Sequence, residues 1–262
     1  MGSLTKKFFA ELIGIWMLVI VGTGSAAVTL MLAEGEQKAS AFNIGIGALG
    51  GLGDWLAIGM CFGIVIATAI YLFGPVSGCH INPSVTIALW ITKRIPTKDA
   101  IVYIIAQFIG ATLGSFTLLG MLGSKGATVG GLGAPGVFPG MSLGQVFLAE
   151  LVGTFLLMLG IMAYAVDKRA PKGLAGLGIG LNIALIITAF GNISGQGINP
   201  ARSFGPILVD SLAGGPNGWP TFWIFLVAPI IGAILAAFVY EVVVNEKEAE
   251  TATGVASRDF GS

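Results

Sequence analysis

The chain has 262 residues, 55% of them hydrophobic and only 10% charged, with 13 basic residues balancing 13 acidic ones. Soluble domains carry about 25% charged residues, so this chain lacks the charge to coat a water-facing globule, and its formal neutrality gives nucleic acid nothing to bind. The charges fall at the ends of apolar runs, and several of those runs reach the roughly 20 helical residues that cross a bilayer core.

In chain order, the first apolar run follows Lys6 and Lys7 and extends to about Leu32. A secretory signal would end its apolar region within about 7–15 residues. This run is longer and contains Glu11, so it reads as a permanent span over 7–32. A Gly-rich, mildly acidic linker over 34–54 leads to a second span over 55–73. Further spans are expected over 100–122, 144–165, 173–191 and 219–244, with a Gly/Pro-rich loop over 123–143. The fold class is therefore an all-α membrane protein with one transmembrane domain over 1–244. The polar, charged stretch 245–262 reads as a cytoplasmic tail.

Six spans put both termini on one side. That side would carry Lys6, Lys7, Lys93, Arg94, Lys98, Lys168, Arg169, Lys172, Lys247 and Arg258, against Lys38, Lys125 and Arg202 on the other. The bias makes the termini cytoplasmic. The sequence also repeats itself. Ala10-Glu11-Leu12-Ile13-Gly14 returns as Ala149-Glu150-Leu151-Val152-Gly153, and Ser77-Gly78-Cys79-His80-Ile81-Asn82-Pro83 pairs with Ser194-Gly195-Gln196-Gly197-Ile198-Asn199-Pro200. The repeats cover approximately 6–125 and 144–244. Three spans per unit force the second copy to enter the membrane upside down, and such inverted repeats place function near the midplane.

Each Asn-Pro reads as a helix start, Asn capping and Pro filling the first helical position. The apolar stretches from Pro83 to about Ile91 and from Pro200 to about Val209 are too short to span. They are expected to dip in from opposite sides and meet end to end, so that both positive helix ends converge on the bilayer centre. The Asn amides would then be free to donate into a pore. The preceding stretches Gly78-Cys79-His80 and Gly195-Gln196-Gly197 would line it with backbone carbonyls, because unpaired backbone at that depth survives only beside water or inside protein.

With these residues in place the chain resembles the aquaporin family, whose signature is two Asn-Pro-Ala motifs in inverted halves. The resemblance covers roughly Lys6 to Val244. The first motif departs from it, reading Asn82-Pro83-Ser84 where the second reads Asn199-Pro200-Ala201. The resemblance implies a homotetramer in the cell membrane with one pore per subunit. It also implies that Glu11 and Glu150 accept hydrogen bonds from the re-entrant loops, and that a filter is formed by Phe62, Ile187, Gln196 and Arg202. This filter is similar to that of archaeal M-type aquaporins, except that Gln196 stands where serine is expected and should fill more of the opening. Ile187 replaces the histidine of strict water channels. The partners implied are water and small neutral solutes, with glycerol slower than water and ions excluded.

Other readings remain. A glycerol-type facilitator would pair a small residue at 187 with an aromatic at 196. An ion-coupled transporter would use carboxylates to hold its ion, and Glu11 and Glu150 are the only mid-span acids. His80, the single histidine, is read as orienting its loop rather than sensing pH. Cys61 and Cys79 are not spaced as a metal or redox pair. No catalytic set, metal cluster or cofactor motif is present, so the chain is not read as an enzyme.

Overall fold

The structure, a computed structural model, describes residues 2–36, 51–171 and 173–244. The tail 245–262, most of the linker 34–54, and Lys38, Lys172, Lys247 and Arg258 of the charge count lie outside the described residues. Among the described residues, six helices are long and apolar enough to cross a membrane: Leu4–Leu32, Leu52–Ser77, Thr97–Leu122, Leu143–Val166, Ala175–Ser194 and Trp219–Val244. No strand occurs among the described residues.

The ends of the spans differ from expectation by a few residues, for local reasons. The second span continues past 73, through Pro75, to Ser77. Proline in the last turn costs one backbone hydrogen bond, and the helix stops only where Gly78 turns left-handed at φ 92. The fifth span stops in the same way at Gly195, φ 77. The fourth begins at a capping box, the Ser142 hydroxyl accepting from the Gln145 amide while the Gln145 side chain accepts from the Ser142 N–H. The loop 123–143 is not irregular throughout, since it holds a short helix, Ser124–Thr128, and a 3-10 turn, Gly131–Gly133. Three spans also contain a π-helical turn: Val19–Thr23, Met162–Val166 and Tyr240–Val244.

Packing follows the repeat. The first span lies against the third and the fourth against the sixth, while the second and fifth join the two halves. At that junction Gly63 and Gly180 face each other so closely that a Cβ on either would sit 2.4 Å from the other's carbonyl oxygen. A Cβ on Gly110 would lie 2.3 Å from the Leu12 carbonyl. These small-residue ridges serve helix contacts within the chain. The outer faces are aliphatic, with Leu52, Met121, Leu148 and Leu185 exposed. Such a surface suits lipid and would be unstable in water.

Candidate functional site

The two Asn-Pro segments begin half-helices, Pro83–Ile91 and Pro200–Leu212. At 1.5 Å per residue they measure about 14 and 20 Å, together enough for one crossing. The second is three residues longer than expected. The Asn82 Oδ1 accepts from the Ser84 N–H at 2.9 Å. The Asn199 Oδ1 accepts from the Ala201 and Arg202 N–H groups at 3.1 and 3.2 Å. Pro83, Ser84, Pro200 and Ala201 are buried beneath the caps.

The amides are not wholly free, as the sequence reading had them. Asn82 Nδ2 donates to the Ile198 carbonyl at 2.9 Å, and Asn199 Nδ2 donates to the Ile81 carbonyl at 2.8 Å. The reason lies in the loops: Ile81 and Ile198 take φ values of 41 and 39, which turns their carbonyls toward the opposite cap. A buried carbonyl left without a donor costs about 1–3 kcal/mol. One N–H of each amide therefore laces the halves together, and the second remains for the lumen.

Two carboxylates hold the loops. Glu11 accepts from the Ser77 hydroxyl (2.7 Å), the His80 N–H (2.9 Å), the Ile81 N–H (2.6 Å) and Gln107 Nε2 (2.8 Å). Glu150 accepts from the Ser194 hydroxyl (2.6 Å), the Gly197 N–H (2.8 Å) and the Ile198 N–H (2.6 Å). Both carboxylates are fully buried. Left-handed φ values at Cys79, Ile81, Gln196 and Ile198 cost about 1–3 kcal/mol each in non-glycine residues, and these bonds hold them.

The halves differ in packing where His80 of one matches Gly197 of the other. In the first, His80 packs edge-on to Tyr103, with ring centroids 5.0 Å apart. The Thr86 hydroxyl donates to the Asn82 carbonyl and accepts from Gln107, so its remaining lone pair takes the Nδ1–H of His80 at 3.2 Å. The network thus assigns the Nδ1–H tautomer and leaves Nε2 as an acceptor. In the second half the matching residue is Gly197, where a Cβ would lie 2.6 Å from the Ser203 hydroxyl and 2.9 Å from the Phe225 ring.

All four filter candidates, Phe62, Ile187, Gln196 and Arg202, line one cavity of about 310 Å³. Asn82, Asn199, Arg94 and Val166 line it too. Gly78, Cys79, His80 and Gly197 also line it, whereas Gly195 does not. Much of the remaining wall is aliphatic, including Leu18, Ile66, Leu157 and Ile183. Among the described residues, the only charged side chains on it are Arg94 and Arg202, both positive. Arg202 is 2% exposed, its guanidinium 5.2 Å above the Phe62 ring, with Nε and Nη1 lacking any protein acceptor. Those donors demand an oxygen from within the cavity.

Gln196 departs from expectation. Its amide does not fill the opening but leans into the wall, Nε2 donating to the Ala149 carbonyl at 3.2 Å and Oε1 lying where a Cβ on Gly153 would be. The glycine of the repeated Ala-Glu motif makes that recess. Arg94, on the wall of the cavity, pairs with Glu241. The Asp167 carboxylate accepts from Arg169 and from the Tyr240 hydroxyl at 2.7 Å. Arg169 above all holds the Asp167 carboxyl below its ordinary value. Lys7 and Asp99 form a further, nearly buried pair.

The major intrinsic protein family model matches residues 2–240. The chain is 57% identical over 246 residues to aquaporin AqpM of Methanothermobacter marburgensis, covering 94% of this chain and all of that one. It is 56% identical over 244 residues to the probable aquaporin AqpM of Archaeoglobus fulgidus, covering 93% of this chain and 99% of the relative. Among solved structures it is similar to the aquaglyceroporin from Plasmodium falciparum, with a TM-score of 0.76 and 27% identity over 92% of this chain and 97% of that one.

Proposed function

The chain belongs to the major intrinsic protein family and is a multi-pass membrane channel for water, not an enzyme, and on that premise we propose how it selects and how it sits in its membrane. The lumen is the 310 Å³ cavity, and Phe62, Ile187, Gln196 and Arg202 form its filter. Water passes quickly, glycerol more slowly, and protons and ions are refused. The observation that carries this reading is the polarity of the wall: two arginines, two half-helix N-termini and no carboxylate along the cavity. Cations are repelled at the ends and the centre, while aliphatic side chains and a few donors let neutral molecules slide.

A coupled transporter would need an acid facing the lumen. Glu11 and Glu150 instead accept hydrogen bonds from the re-entrant loops, and Glu11 also from Gln107 of the third span, which weighs against that reading. The family supports a homotetramer. Lys6, Lys7, Lys93, Arg94, Lys98, Lys168 and Arg169 on one face, against Lys125 and Arg202 on the other, support cytoplasmic termini in the cell membrane.

Ile187 is the wall position that distinguishes glycerol from water, being apolar and 1% exposed. Ile187→His adds a donor and bulk there. In proteoliposome swelling assays it is expected to slow glycerol about tenfold while leaving water near its original rate. Wild-type protein that passes glycerol as fast as water, or an Ile187→His variant with unchanged glycerol flux, contradicts this filter assignment. Mercuric ion is expected to block the channel through Cys79, which lines the cavity, and Cys79→Ser should be resistant. Retained block would transfer the effect to Cys61.

A further inference from the structure

Phe62 is held by a contact that the filter alone does not explain. A Cβ placed on Gly22 would lie 2.4, 2.6 and 2.7 Å from Cδ1, Cε1 and Cγ of the Phe62 ring. Those distances are about 1 Å inside ordinary carbon contact. Gly22 belongs to the π-helical turn Val19–Thr23 of the first span, closed by the Gly24 N–H on the Val19 carbonyl. The turn is pinned on its outer side: the Ser25 hydroxyl donates to the Gly22 carbonyl at 2.7 Å, and Gly133 presses so close that a Cβ there would sit 2.1 Å from the Thr23 carbonyl. The extra residue of a π-turn shifts the helix face locally, a device frequent at functional positions.

We propose that Gly22 is a specificity-determining position: its missing side chain is the recess into which Phe62 sits back, and so it sets the bore of the filter. The proposal rests on the reading of Phe62 as a filter residue. The backbone that carries Phe62 cannot retreat from a side chain at 22. Three residues before Phe62, a Cβ on Gly59 would be 2.6 Å from the Ala184 carbonyl, and one on Gly63, the residue after Phe62, would be 2.4 Å from the Gly180 carbonyl. The second span is thus wedged against the fifth. A methyl group at 22 therefore drives the ring, not the helix, toward the lumen and the Arg202 guanidinium 5.2 Å from its centroid. Gly22 touches no solute and acts through Phe62, as a positioning residue.

The test is the ratio of glycerol to water permeability in proteoliposomes. Gly22→Ala is expected to lower that ratio about tenfold. Gly24→Ala, two residues on, would meet Leu118 Cδ2 at 2.8 Å instead, and should leave the ratio unchanged however much it destabilises the chain. Placed on Phe62→Leu, Gly22→Ala should make no further difference, because the ring that transmits the clash is gone. That comparison stands even where Gly22→Ala alone fails to insert. The proposal is overturned if Gly22→Ala keeps the wild-type ratio, if Gly24→Ala shifts it equally, or if the double variant has a lower ratio than Phe62→Leu. Should Ile187→His move the ratio while Gly22→Ala does not, the filter stands and this inference alone falls. Should neither Ile187→His nor Phe62→Leu move it, both fall.

Discussion

Glu11→Leu is expected to yield no folded channel. The carboxylate accepts four hydrogen bonds from Ser77, His80, Ile81 and Gln107, all inside the membrane-spanning bundle. Leucine removes the acceptor of four donors, of which Gln107 keeps Thr86, at about 1–3 kcal/mol for each one left buried and unpaired. The sum rivals the roughly 5–15 kcal/mol that holds a whole domain together. It also releases the left-handed residues Cys79 and Ile81, so the first half-helix loses its entry loop. Glu11→Gln keeps the shape and one oxygen but turns an amide N–H toward donors. It should fold with a lowered melting temperature and lose about tenfold in water permeability. Membrane accumulation, thermal melting and stopped-flow water flux measure these outcomes. A Glu11→Leu protein with wild-type stability and flux would remove the carboxylate from this role.

Arg202→Val should admit charge without closing the lumen. Among the described residues the guanidinium is one of two charged side chains lining the cavity, the other being that of Arg94, and two of the Arg202 nitrogens lack a protein acceptor. Two unit charges 4 Å apart repel by about 4 kcal/mol at an effective dielectric constant of 20. Losing part of that barrier should raise proton or monovalent-cation leak at least about tenfold. The helix ends at Asn82 and Asn199 remain as a second barrier, so the leak stays far below the water flux. Water permeability should persist, since valine is smaller than arginine. Liposomes loaded with a pH-sensitive dye report the leak directly. A leak equal to wild type would leave exclusion to the central barrier alone.

The inverted architecture was legible because it depends on patterns that one sequence carries in full. Apolar runs set the spans, the two Ala-Glu and two Ser-Gly segments exposed the repeat, and Asn-Pro marked both half-helix starts. Side-chain direction was less legible. The Asn82 and Asn199 amides read as free donors because nothing in a sequence says that Ile198 and Ile81 will aim their carbonyls across the pseudo-symmetric interface. Gln196 read as a plug because its size is visible in the sequence, whereas the recess beside Gly153 appears only once the fourth span packs on the loop. Gln107, which joins Glu11 to Thr86, lies in neither of the repeated motifs, so nothing in the repeat marked it. The paired serines at 77 and 194 were a signal in plain sight, since a hydroxyl kept in both copies beside a buried carboxylate suggests a donor. The π-turns leave no compositional mark at all. Val19–Thr23 packs against Phe62 on one side and Gly133 on the other, both distant in sequence.

The most direct test is the temperature dependence of water flux through the purified protein in liposomes, with and without imposed sodium or proton gradients. A continuous water-filled lumen predicts fast flux with an activation energy close to that of water's own diffusion, well below that of bare lipid, and no response to either gradient. Flux as steeply temperature-dependent as in protein-free vesicles, or flux that appears only when a gradient is applied, would contradict a passive pore.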